Sequence, residues 1–169
     1  MISIRTLQAN EGLLLKELRL SALQESPDAF SPTYDETSIH DDDYWMKSAQ
    51  RIAAAPGFEI FIASYNGEPV GLVSGQVDKE SIGHIGAMWA NPDIRGKGIG
   101  RRLLDRVVTF LREDGCKTIE LTVTETNNRA IQLYRRTGFE FTGADVPLRE
   151  GSDLLNREMI LSSVSVQAD

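Results

Sequence analysis

The stretch Arg95-Gly96-Lys97-Gly98-Ile99-Gly100-Arg101 limits what this chain can fold into more than any other. It sets three glycines at alternate positions between a β-rich run that stops at Asn91-Pro92 and the apolar helical stripe Leu103, Leu104, Val107, Val108 and Leu111. Strand, glycine turn and helix in that order make an α/β chain, and the turn can bind an anion. Glycine allows positive φ and close approach of the backbone to a ligand, while unpaired N–H groups at the helix start and the positive end of its dipole face a phosphate or pyrophosphate. Lys97 and Arg101 add local positive charge. Two better-known phosphate loops do not fit. A Walker loop needs Ser or Thr after the lysine, where Gly98 stands, and a dinucleotide fingerprint needs a glycine at Arg101 or Leu103. By itself the glycine cluster is also compatible with a flexible connection.

The pattern elsewhere alternates strands and helices. Ile2 to Leu7 alternates as an opening strand, and Leu14, Leu15, Leu18 and Ala22 follow at helical spacing. Gln24 to Pro32 is rich in turn formers and reads as a mobile loop. Asp41 to Asp43 then begin a second helix that ends near Ala55-Pro56. Phe58 to Tyr65 and Pro69 to Val77 flank Asn66-Gly67, which predicts an antiparallel hairpin, and a fourth strand, β4, runs from Ile82 to Ala90. Gly115 ends the helix after the glycine turn. A fifth strand, β5, covers Lys117 to Thr124, a short helix Asn127 to Arg136, a strand restarts at Gly138 to Phe141, and a last strand covers Arg157 to Leu161. Residues 1–162 read as a single domain and 163–169 as a polar, frayed tail.

Composition narrows the function classes. No apolar run in the 169 residues approaches the roughly 20 needed to span a membrane, and Met1 to Thr6 lacks a secretory signal, so a soluble cytoplasmic protein without membrane partners is expected. A formal charge of −7 argues against a nucleic-acid partner. One cysteine, Cys116, excludes an internal disulfide and lacks a histidine signature to activate it. His40 and His84 are too far apart in sequence to suggest a metal site, so no metal is expected.

A second motif lies downstream: Asn127-Asn128-Arg129-Ala130-Ile131-Gln132-Leu133-Tyr134-Arg135-Arg136-Thr137-Gly138-Phe139. Together, the two segments resemble the GNAT superfamily of N-acetyltransferases. Its cofactor loop, Gln/Arg-x-x-Gly-x-Gly/Ala, is matched by Arg95 to Gly100, and its Asn-x-x-Ala-x-x-Leu-Tyr-x-x-x-Gly-Phe pattern by Asn127 to Phe139. The resemblance covers Ile82 to Phe141. It implies a mixed, mostly antiparallel central sheet flanked by helices, with β4 and β5 splayed apart around acetyl-CoA.

The same resemblance assigns residues. Backbone groups of Met88, Trp89 and Ala90 would bind the pantetheine arm, amides from Gly96 through Lys97, Gly98, Ile99 and Gly100 to Arg101 the pyrophosphate, and Asn127 the arm again. Arg95 opens the loop motif. Tyr134 matches the family's general acid, which returns a proton to the departing thiolate. The implied chemistry is direct attack by an amine, without acyl-enzyme or metal, with the Met88 amide stabilising the oxyanion.

By strand alternation His84 shares a face with Gly86, Met88 and Ala90, which makes it a candidate general base beside the reading of a histidine held by a backbone partner. Glu120 and Glu125 are the other nearby carboxylates. Trp45 and Trp89 read as packing residues, and His40 as a surface residue. Arg102, Arg106, Arg129, Arg135 and Arg136 read first as a solvated helix face, with a contact to the cofactor's 3′-phosphate as the other reading. The acceptor, a small-molecule amine or a peptide, would be framed by Pro27 to His40 and Val146 to Asn156. Their acids Asp28, Asp35, Glu36, Glu150 and Asp153 either attract a cationic amine or are solvated surface. A non-catalytic acetyl-CoA sensor and a transferase for another acyl-CoA are the alternatives, and a homodimer is left open.

Overall fold

The computed structural model describes residues 1–163, so all of the expected polar tail except Ser163 lies outside the described residues. Seven strands form one sheet: β1 Ile2–Thr6, β2 Phe58–Tyr65, β3 Glu68–Val77, β4 Gly83–Ala90, β5 Thr118–Thr124, β6 Glu140–Pro147 and β7 Leu155–Ser162. The helices are α1 Gly12–Glu25, α2 Tyr34–Ser38, α3 Asp42–Ala54, α4 Ile99–Glu113 and α5 Asn128–Thr137. Spatial order is β1-β2-β3-β4-β5-β7-β6. Every neighbouring pair is antiparallel except β4 with β5, which is parallel. The expected mixed, mostly antiparallel sheet is therefore present.

Local chemistry explains most boundaries. Asn66 and Gly67 both take positive φ, 50° and 88°, the pair of values a two-residue hairpin needs to match strand twist. Asp41 accepts the Tyr44 N–H at 2.9 Å and so caps α3. The helix α2 was not expected from the sequence. It is set by a reciprocal cap in which the Thr33 hydroxyl accepts from the Glu36 amide and the Glu36 carboxylate from the Thr33 amide.

The strand β2 explains why the sheet is covered on both faces. Its alternate residues Phe61 and Ala63 are buried beneath α4 and α5, while Ile60 and Ile62 join Leu15, Leu18, Trp45 and Ile52 beneath α1 and α3. Burial on both faces is what makes this strand read as a continuous apolar run. Trp45 and Trp89 both pack in the α1/α3 layer, as expected. Gly12 lets α1 cross α3 closely: a Cβ there would lie 2.5 Å from the Met46 Cα and 2.6 Å from the Trp45 carbonyl carbon.

The loop after α1, expected to be mobile, is strapped to the sheet. Arg149 donates to the carbonyls of Pro27, Phe30 and Ser31, and the Thr124 hydroxyl donates to the Asp28 carbonyl at 2.6 Å. Among the described residues no helix is long and apolar enough to cross a membrane.

Candidate active site

Only two residue pairs join β4 to β5, Gly83 with Ile119 and His84 with Glu120. Beyond them the strands diverge and leave an open V. The helix α4 packs against β3 and β4. The space between β4 and β5 is a cleft of about 230 Å³. Ile85 to Met88 form one wall and Leu121 to Val123 the other, with Asn127, Leu133 and Tyr134 of the α5 segment closing one side. Ala29 to Pro32, the strapped loop, closes another.

The glycine turn borders this cleft. Gly100 is placed so that a Cβ would sit 3.4 Å from Leu133 Cδ2 and 3.7 Å from Met88 Cε, two groups of the cleft lining. Gly96 and Gly98 take φ of 82° and 80°, and no atom lies within 4 Å of where their Cβ atoms would be. The first backbone N–H after Arg95 with an acceptor among the described residues is that of Arg102, bonded to the Gly98 carbonyl. The six amides of residues 96–101 are thus unpartnered and concentrated at a helix N-terminus. Ile99 is buried in the core, so its amide is all it offers an anion.

The basic side chains of the motif are engaged elsewhere. Arg95 pairs with Glu25 at 3.2 Å, Arg101 with Asp105 at 2.8 Å, and the Lys97 ammonium lies 5.1 Å from the centre of the Tyr65 ring. What the turn can offer an anion is therefore backbone, with side-chain charge at its rim. Glu25 also accepts from the Trp89 indole at 2.9 Å and from the Ser26 hydroxyl. Burial pushes the Glu25 carboxyl up, but Ser26, Trp89 and Arg95 together bring it below its ordinary value. One carboxylate thereby ties the end of α1 to β4 and to the glycine turn.

Tyr134 lines the cleft, is 5% exposed, and packs edge-on against Phe139 with ring centres 6.0 Å apart. Burial pushes its phenol up, so it holds its proton throughout the neutral range. Asn127 lines the cleft as well and caps α5, its side-chain oxygen accepting from the Ala130 amide at 3.3 Å. The cap uses the oxygen and leaves the NH₂ donors free for a ligand.

The placement of His84 differs from the expectation of shared alternation. Ile85 is buried beneath α4, whereas Trp89, four residues on, is buried beneath α1 and α3; an unbroken strand would put both on one face. The break is a bulge at Ala87, which has φ of 52°, where the β3–β4 register shifts between Leu72 and Ser74. Met88 and Ala90 consequently lie on the α4 face and His84 on the other. His84 sits at the closed end of the V, its Nε2 2.8 Å from Asp78 and its Nδ1 3.7 Å from Glu120, and is not part of the cleft wall. Its partners are carboxylates rather than backbone.

A second cavity, about 570 Å³, lies between the sheet and α1, α2 and α3. Glu36, His40, Tyr44, Trp45 and Arg51 contribute to it, and Arg19, Pro32 and Ala87 belong to both cavities. His40, expected at the surface, stacks on Tyr44 at 3.7 Å and faces this space. Of the loop acids singled out in the sequence, Glu36 alone lines either cavity.

The family model for GNAT acetyltransferases matches residues 20–139, more than half of the chain. The chain belongs to the GNAT acetyltransferase family. An uncharacterized N-acetyltransferase of Methanocaldococcus jannaschii is 34% identical over 86 residues, covering 47% of this chain and 38% of that protein. The mycothiol acetyltransferase of Propionibacterium freudenreichii is 39% identical over 69 residues, covering 41% of this chain and 22% of that protein. The chain thus spans less than two fifths of the length of these curated relatives. The Salmonella typhimurium protein yncA, solved with its cofactor acetyl-CoA, shares the GNAT fold with a TM-score of 0.77, 22% identity, and coverage of 100% of this chain and 98% of that one.

Sequence reasoning missed Arg19 and the bulge at Ala87. Arg19 stands between Leu18 and Leu20 in a helix, where a charge is easily taken for the solvent side. Ala87 itself carries no turn signal; the one local cue is Gly86 beside it, since an isolated glycine in a strand can mark a bulge.

Proposed function

We propose that this GNAT chain is an acetyl-CoA-dependent N-acetyltransferase that acts on an amine by direct attack. The observation that carries the reading is the run of six unpartnered amides at residues 96–101, beside a cleft opened by the parting of β4 and β5. A cradle free of Cβ atoms at Gly96 and Gly98 fits a pyrophosphate, and the unpaired edge of β4 fits a pantetheine arm added like a strand. Bound there, acetyl-CoA supplies an acetyl thioester whose C–S bond is exchanged for a C–N bond to the incoming amine.

The chain's own residues do the rest. Backbone groups of Met88, Trp89 and Ala90 hold and orient the arm, and the Asn127 amide donors fix it from the opposite side. The Met88 amide, freed from the β3 ladder by the bulge, stabilises negative charge developing on the carbonyl oxygen. Tyr134 keeps a proton at its phenolic oxygen for the departing sulfur. His84 does not line the cleft, which weighs against a direct role as base. The cleft lining holds no carboxylate or histidine among the described residues, so the amine's proton leaves to water.

Binding of acetyl-CoA, measured by calorimetry, tests the reading. Gly98→Glu should abolish it, because a carboxylate and a strained positive φ would occupy the cradle. Unchanged affinity in a folded Gly98→Glu protein would remove the assignment.

A further inference from the structure

Arg19 is set apart from the other arginines by a guanidinium nitrogen that is shut off from water and has no partner among the described residues. Arg5, Arg95, Arg101 and Arg157 each pair with a carboxylate, and Arg149 with three carbonyls. Arg19 has neither an ion pair nor a hydrogen bond among the described residues, and its Nη1 is shut off from water. Its guanidinium lies 4.9 Å from the centre of the Phe30 ring, in the wall shared by the two cavities. Burial lowers its pKa without any acid to offset the effect, yet an arginine does not give up its proton in a protein. Arg19 is half-buried, and a guanidinium nitrogen shut off from water without a counterion is costly unless something else pairs with it. A second cation, Arg51, faces the larger cavity with only a 3.5 Å contact to Ser48. Glu36 is the one carboxylate against these two arginines. The lining of the two cavities therefore carries two arginines against one carboxylate, although the whole chain carries −7.

We propose that the acceptor is an amine that also carries a carboxylate, of the free amino-acid type, and that Arg19 binds that carboxylate at the junction of the two cavities. The inference rests on the N-acetyltransferase reading. Arg19 and Met88 line the same cleft, so an acceptor whose carboxylate meets Arg19 and whose amine reaches the thioester need span no more than that cleft, which suits the short separation in a free amino acid. The acceptor's side chain then enters the 570 Å³ cavity between His40, Tyr44 and Trp45. The planar fork of arginine matches a carboxylate, whereas a polyamine would meet two like charges. Peptide N-termini, whose carboxylate is replaced by an amide, leave Arg19 unpaired.

The test uses the full chain, acetyl-CoA, the common L-amino acids, the methyl ester of each, and spermidine, with thiol release as readout. At least one free amino acid should be acetylated with a kcat/KM about 10-fold to 100-fold above that of its methyl ester, the span expected of a hydrogen-bonded charge. Arg19→Gln should erase that preference while leaving the KM for acetyl-CoA unchanged, and Arg19→Lys should restore part of it. Arg19→Met should hold or raise Tm, since it removes an uncompensated charge. Equal rates on acid and ester, a preference for spermidine, or a Tm loss in Arg19→Met with acid-over-ester selectivity intact would overturn the proposal and leave the N-acetyltransferase reading standing. If acetyl-CoA binds but no amine is acetylated, that reading fails instead. The Arg19 site is then judged by thermal shift with the same amino acids, and absence of Arg19-dependent stabilisation overturns it.

Discussion

At the scale of single residues, Tyr134 shows how one environment sets packing and protonation together. Its ring is buried against Phe139, and the same burial raises the phenol's pKa, so the group is a donor and not a base in the neutral range. Tyr134→Phe keeps the ring and removes the proton. kcat should fall by about 100-fold or more while the KM for acetyl-CoA and the Tm change little. A kcat within a factor of two of the parent protein would end the acid role. Tyr134 and Asn127 were legible because motif and helix register agree, and both face the cleft. Arg95, Lys97 and Arg101 were legible only in part. Their side chains are held by Glu25, Tyr65 and Asp105, contacts between segments far apart in sequence or along a helix face that a loop motif does not encode.

At the scale of elements, the α1/α3 crossing depends on a missing side chain. A Cβ at Gly12 would press on backbone of Met46 and Trp45, and backbone within a helix cannot swing aside as a flexible side chain does. Gly12→Ala should cost about 3 kcal/mol, at the upper end of overpacking, and lower Tm by roughly 6–12 °C in thermal denaturation. A Tm within 2 °C would mean that the helices separate at almost no cost. The strand β4 teaches the opposite lesson. Its composition predicts a strand correctly, but the bulge at Ala87 exchanges the faces of everything after it and removes His84 from the cleft. Gly86 stands beside the break, but it does not by itself say that the faces exchange, which is seen only in the packing of Ile85 and Trp89 into different layers.

At the scale of the whole molecule, charge and stability are linked through a few paired carboxylates. Arg5 draws the Glu11 carboxyl below its ordinary value, His84 does the same for Asp78, and the contacts of Glu25 outweigh its burial. A carboxyl depressed in the folded state stabilises it above the unfolded pKa, and that contribution is lost as pH falls through the folded value. Glu59 is raised by burial and acts in the opposite sense. Three against one, the net effect is acid sensitivity. Tm should decline as pH is taken from about 5 towards 3, below the ordinary carboxylate range. Calorimetric scans across that interval check it, and a Tm that climbs towards pH 3 would contradict the balance.

What the sequence determined by itself is local: the hairpin at Asn66-Gly67, the helical stripe of α4, the glycine turn with its open amides, and the register of Asn127 and Tyr134 on one helix. Each follows from residues within a few positions of one another, where backbone preference and periodicity act directly. Only the tertiary structure decided that β7 inserts between β5 and β6, that β4 and β5 part after two pairs, that the strand bulges at Ala87, and that Arg19 comes to rest between two cavities. Those outcomes depend on which layers compete for a side chain and on which charges find partners across the fold, and pairings over such distances leave no period in the chain.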